Sequence, residues 1–194
     1  MKRACVTGHR AMSAFPAGLS ETLRSVVLDG YTEFLVGMAL GFDQYCYEEL
    51  LRMKGEFPQL RIVACIPCGD QAARFTRAQK ARYDRLCAAA DERIVLYPSY
   101  VEGCMQERNR YMVDRSARVI AVYDGIPKGG TAQTLAYALR SLGYQVDLDD
   151  KALIKMADFF KGVRADFLKD GTLDPISMAT DTQCLNYQIP GGML

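Results

Sequence analysis

"ACVTGHR", residues 4–10, sets a short apolar run, Ala4–Val6, directly against threonine, glycine, histidine and arginine. A continuous apolar run of this length, closed by glycine beside polar residues, is the pattern of a buried strand that ends in a loop. The pattern recurs at Phe34–Val36, Ile62–Ile66, Ile94–Leu96 and Val119–Tyr123, with a weaker run at Tyr144–Leu148. Between these runs lie segments of helical period near 18–29, 42–54, 72–90, 104–117 and 131–142. Phe75, Tyr83, Leu86, Cys87 and Ala90 form one stripe; Leu135, Ala138, Leu139 and Leu142 form another, which Gly143 ends. Strands alternating with helices through right-handed crossovers give an α/β fold. The expected architecture is Rossmann-like, a doubly wound, mostly parallel sheet with helices on both faces.

In such a sheet the ligand sits at the carboxyl ends of the strands, near the point where strand order reverses. The loops after the strands are therefore the candidate site. Thr7, Gly8, His9 and Arg10 follow the first run, and His9 is the one histidine of the chain. "GMALGFD", residues 37–43, brings Gly37, Gly41 and Asp43, and "DGIPKGGTAQT", residues 124–134, brings Asp124, Gly129, Gly130 and Thr131. Glycines let backbone approach a phosphate, and the free N–H groups of a helix N-terminus bind anions. Each loop alone is a weak signal; three converging on one cleft are a stronger one. None matches the dinucleotide fingerprint or the P-loop. The first loop is expected to line one wall, facing Gly129, Gly130 and Thr131, with His9 a hydrogen-bond partner of the ligand and a general acid only in an enzyme.

"GCMQERNRYMVDRS", residues 103–116, places Met105, Arg108, Asn109, Met112, Val113 and Ser116 on one helical face. The apolar members must meet the sheet, so Arg108 and Asn109 enter the interior with them. A buried arginine needs an anionic partner. That partner is either an acid such as Asp43 or Asp124, or the phosphate of a ligand; the glycine loops favour the ligand. Arg74, Arg77, Lys80, Arg82 and Arg85 give the segment 72–90 a basic character that suits a solvated face first and a nucleic-acid surface second.

A chain of 194 residues, 49% hydrophobic and 24% charged with a net charge of +1, fits one domain and gives no electrostatic reason for nucleic-acid or membrane binding. No apolar run approaches the roughly 20 residues of a membrane span. "MKRACVTGHR" lacks the apolar segment of a signal peptide, and a cytoplasmic location is expected. The seven cysteines are irregularly spaced and read as small hydrophobes. Cys65 and Cys68 form the one C-x-x-C, a minor redox candidate. With no second such pair and one histidine, no metal site is expected. Residues 1–150 read as the domain. In 151–194, Leu153, Met156, Ala157, Phe160, Arg164 and Phe167 suggest one more helix, packed on the domain or on a partner subunit, and from Asp170 the chain reads as irregular.

"TGHR", "GMALGFD", "YVEGCMQERNRYMVDRS", "AVYDG" and "GGTAQTL" stand in the order found in the YpsA-like proteins, and over about residues 3–148 the chain resembles that family. YpsA-like proteins belong to the SLOG superfamily of Rossmann-like folds, with the cytokinin-activating LOG proteins and DprA. The resemblance implies a nucleotide or nucleotide-derived ligand in the strand-end cleft, without naming a certain cofactor. Met105, Gln106 and Arg108 stand in register with the LOG stretch M-H-x-R-K, and Gly130 and Thr131 with the G-T of P-G-G-x-G-T-x-x-E. The register breaks at Thr134, where LOG carries its catalytic glutamate. A LOG-type phosphoribohydrolase is disfavoured on that ground, with Glu107 and Asp43 as substitute carboxylates. Three functions follow in order: binding of a nucleotide-like small molecule, as a sensor; hydrolysis of its N-glycosidic or phosphate bond; and DprA-like nucleic-acid binding. A homo-oligomer is compatible with each, and no membrane partner is expected.

Overall fold

A computed structural model of the chain describes residues 1–12, 15, 18–123, 128–141, 164–168 and 184–188. The elements are β1 (Lys2–Thr7), α1 (Leu19–Leu28), β2 (Tyr31–Val36), α2 (Phe42–Met53), β3 (Arg61–Cys68), α3 (Arg77–Ala88), β4 (Glu92–Tyr97), α4 (Cys104–Asp114), β5 (Arg118–Ala121), α5 (Gly129–Ser141), β6 (Arg164–Leu168) and β7 (Cys184–Gln188). Five parallel strands stand in the order β4-β3-β2-β1-β5. The chain winds outward from β1 to β4 and then returns to the other side of β1. Strand order therefore reverses between β1 and β5, where Thr7 is opposite Ala121.

Alternation within the strands divides the core in two. Ala4, Val6, Phe34, Val36, Ile62, Ala64 and Ile120 meet α1, α2 and α3 through Leu23, Val26, Tyr47, Leu50 and Leu86. Cys5, Leu35, Val63, Cys65, Val119 and Ala121 meet α4 and α5 through Met112, Val113, Leu135 and Ala136. Both faces of the inner strands are thus covered, which is why they read as unbroken apolar runs. β4 is an edge strand, and its Val95 is 50% exposed.

Three boundaries differ from the sequence reading. The helix expected from residue 72 begins at Arg77, because Thr76 caps it: the Gln79 amide donates to Thr76 Oγ1 at 3.3 Å and the Thr76 amide donates to Gln79 Oε1 at 2.9 Å. Arg164–Leu168, expected to end a helix, is a strand antiparallel to β5, with Val119 opposite Phe167. Cys184–Gln188, expected to be irregular, is a strand parallel to β6 that also meets β5. The physical reason is shared. β5 has only β1 on one side, and its other edge presents ladder groups that a segment able to extend can satisfy. Tyr144–Leu148, Gly143 and the rest of the expected C-terminal helix lie outside the described residues. No described helix is long and apolar enough to cross a membrane.

Cys5, Cys46, Cys65, Cys68, Cys87 and Cys104 are buried, and none of Cys65, Cys68, Cys87 and Cys104 is in a disulfide. Burial pushes the Cys65 and Cys68 thiols up to about 12, which keeps them protonated and poor nucleophiles. The Cys104 thiol donates to Cys68 Sγ at 4.0 Å.

Candidate functional site

A cleft of about 620 Å³ opens at the carboxyl ends of β1 and β5, the point of strand reversal. Its volume falls within the range of small-molecule sites. Thr7, Gly8, His9 and Arg10 form one wall. Lys128, Gly129, Gly130, Thr131 and Gln133 form another, and Gly103, Met105, Gln106, Asn109 and Met112 close it from α4. Asp43 and Ala39 contribute from the β2–α2 connection, Tyr100 and Glu102 from the loop before α4.

The first wall is held in place by main-chain bonds. The Val122 amide donates to Thr7 O, and the Phe42 amide donates to His9 O, both at 3.1 Å. The His9 ring lies nearly parallel to Tyr123, with centroids 6.4 Å apart. Gly8 is fixed by packing, because a Cβ there would lie 2.5 Å from the Phe42 ring. Gly41 has φ of +79°, and its Cβ would lie 2.4 Å from His9 O. These glycines let α2 start against the loop. Both are packed against protein, and Gly8 also lines the cleft.

Gly37 serves the same end: a Cβ there would overlap the guanidinium of Arg108. That arginine is 4% exposed and stands behind the cleft wall rather than in it. Its Nη1 donates to the carbonyl oxygen of Gly37 and, at 3.4 Å, to that of Cys65; its Nε donates to Asn109 Oδ1 at 2.8 Å. The same Nη1 is 4.0 Å from Asp43 Oδ2, so the acid faced by the arginine is Asp43. Asn109 reaches both ways, since its Nδ2 donates to Thr134 Oγ1 at 2.7 Å while the residue lines the cleft. Asp124 lies outside the described residues. Of the remaining candidates, all but Gly37, Gly41 and Arg108 line the cleft.

The opposite wall is built differently. Around Gly129, Gly130 and Gly103 a Cβ would meet nothing within 4 Å. Here the absence of a side chain leaves open space at the starts of α5 and α4. α4 begins at Gly103 with no side-chain cap; the Cys104 amide donates to Val101 O at 3.2 Å, and Gly103, Met105 and Gln106 of this first turn line the cleft. Spacing does not single out Lys128, Tyr100, Glu102, Gln106 and Gln133, which also line the cleft. A lysine directly before two glycines was a usable signal for Lys128; Tyr100 and Glu102 sit in a loop without a period.

Burial pushes the Asp43 carboxyl up to about 6, against the opposing pull of Arg108 and the 3.1 Å hydrogen bond donated by the Ala39 amide. A carboxyl raised in this way binds its proton more tightly in the folded chain than in the unfolded one. It favours folding at low pH, and the contribution is lost as pH rises from about 4 through about 6. Asp43→Asn should flatten that part of the stability profile, by up to about 3 kcal/mol. Urea unfolding of both proteins between pH 4 and 7 measures it; parallel profiles would reject the assignment.

The chain is similar to several known proteins. It is 32% identical over 126 residues to the SPbeta prophage-derived protein YoqJ of Bacillus subtilis strain 168, covering 58% of this chain and 73% of that one. It is 25% identical over 179 residues to a UPF0398 protein of Bacillus pumilus, covering 82% and 96%. Among solved structures, the DNA processing protein A of Streptococcus pneumoniae superposes with a TM-score of 0.53 at 20% identity. That likeness covers 72% of this chain, and the chain spans about half, 47%, of the DprA chain. It shows the shared fold. The family model described as the YspA SLOG family matches residues 5–163. With most of its length so matched, the chain belongs to the YpsA family of SLOG proteins.

Proposed function

We propose that the cleft binds a nucleotide or nucleotide-derived ligand, without turnover, as a sensor does. One observation carries the reading: the starts of α4 and α5 both face the cleft, and each is bare of side chains where Gly103, Gly129 and Gly130 stand. Two positive helix ends with open approach suit a phosphate. Arg10 and Lys128 add charge of the same sign, and Tyr100, 61% exposed, offers an aromatic face for a base.

Gly130→Ala separates binding from folding. The added methyl has free space around it, so the melting temperature should stay unchanged, yet it stands where the phosphate must approach. Calorimetry with the four common nucleoside monophosphates should give binding by the wild type and at least about tenfold weaker binding by the variant, the scale of one charge-assisted hydrogen bond. No binding by the wild type, or equal affinity in the variant, would overturn the reading.

The hydrolase reading rests on Asp43, a carboxyl in the cleft that exchanges its proton near pH 6. Against a LOG-type reaction stands Thr134, whose hydroxyl donates to Gly130 O at 2.7 Å and accepts from Asn109, so no carboxylate occupies that position. Wild-type protein should release no free base from nucleoside monophosphates. Release that disappears in Asp43→Asn would replace the sensor by an enzyme. The nucleic-acid reading loses ground on α3, where Arg82 and Arg85 both pair with Glu48 and Lys80 pairs with Asp84.

A further inference from the structure

Beside the cleft lies a second cavity of about 210 Å³, set in the seam between α4 and α5. Gln106, Asn109 and Gln133 line both spaces, so the two are neighbours across these side chains. The bond between Asn109 and Thr134 ties the two helices at the junction. Beyond it the character changes. Arg110 and Arg140 line the far part, one from each helix, with the Arg110 guanidinium 5.5 Å from the centre of the Tyr137 ring. The Tyr137 hydroxyl donates to Asp114 Oδ1 at 2.7 Å, which holds the ring in that position.

We propose that this side cavity takes a second phosphate of the ligand, so that the protein's preferred ligand is a 5′-phosphorylated dinucleotide rather than a mononucleotide. The inference rests on the cleft's holding a nucleotide phosphate at the start of α5. From Thr131 to Tyr137 the helix rises about 9 Å, at 1.5 Å per residue. Helical side chains lean toward the N-terminus, so Arg140 reaches back over that same turn. Adjacent phosphates of a dinucleotide stand closer together than this rise, so the first is met at the helix start and the second where the long side chains of Arg110 and Arg140 reach back toward it. Arginine from two helices is suited to a phosphate by its planar set of donors. Gln106, Asn109 and Gln133 offer amide donors and acceptors to the sugar or base between them.

The test uses calorimetry on the full chain with AMP, CMP, GMP and UMP, and with the dinucleotides pApA, pCpC, pGpG and pUpU. The best-bound dinucleotide should bind at least about tenfold tighter than its mononucleotide, one charged contact being worth that much. The double variant Arg110→Gln, Arg140→Gln should lose this gain while its mononucleotide affinity and melting temperature stay at wild-type values. A mononucleotide that binds with no dinucleotide gain, or a gain that survives in the double variant, overturns the side cavity alone. Absence of binding by every mononucleotide and dinucleotide overturns the cleft reading and this inference with it. A hexanucleotide that binds a further tenfold tighter than the dinucleotide marks the seam as part of a strand-binding surface and overturns the dinucleotide assignment.

Discussion

Arg108→Ala should destabilise the fold by about 3–5 kcal/mol, the range for removing one partner of a buried charged pair. The side chain braces three elements: it bonds to main-chain oxygens at Gly37, after β2, and Cys65, within β3, and to Asn109 on its own helix. Without it, two buried carbonyls lose a donor, and the Asp43 carboxyl keeps its burial without the cation 4.0 Å away. Arg108→Lys should recover little, because an ammonium cannot hold the planar set of contacts. Adding Asp43→Asn to the alanine variant should recover part of the loss, since no charge is then left buried. Urea unfolding measures each step. A loss under about 1 kcal/mol for Arg108→Ala would mean that the arginine is not the brace described.

Gly41→Ala should cost both stability and binding. The new methyl would lie 2.4 Å from His9 O and 2.5 Å from Arg10 O, and the backbone stands at φ +79°. Conformational strain of this kind costs about 1–3 kcal/mol. The methyl meets backbone atoms, so relief requires the His9–Arg10 segment to move away from α2 and give up the bond from the Phe42 amide to His9 O. That segment is a wall of the cleft, and nucleotide affinity should fall at least about tenfold with it. Unfolding and calorimetry on the same preparation check the two effects. Wild-type values in both would reject the account of this wall.

The contrast with Gly130 explains what the sequence could and could not reveal. Glycine after a strand reads the same whether it admits a phosphate or another part of the chain. At Gly8, Gly37 and Gly41 the neighbour is protein: a ring, a guanidinium and two carbonyls. At Gly129 and Gly130 there is none within 4 Å. Helical spacing likewise put Arg108 on the inner face, but its acceptors belong to Gly37 and Cys65, far away in sequence. The five parallel strands were legible because burial on both faces writes itself as a run. β6 and β7 were not, because Arg164–Leu168 also fits a helical stripe, and the edge of β5 that selects the strand is a feature of the assembled sheet.

The pairing of Thr7 with Ala121 closes a span of about 110 residues, the longest-range link among the five parallel strands. During synthesis at roughly 5–20 residues per second, β1 waits about 5–20 s for β5 to be made. Until then one edge of β1 is unpaired and the wall at His9 faces no opposite wall. On the proposed function, only a chain that has inserted β5 and formed the start of α5 can hold the ligand. Occupancy of the proposed site would then report that the five parallel strands are joined, and a ligand at 100 times its Kd would stabilise that state by about 2.7 kcal/mol.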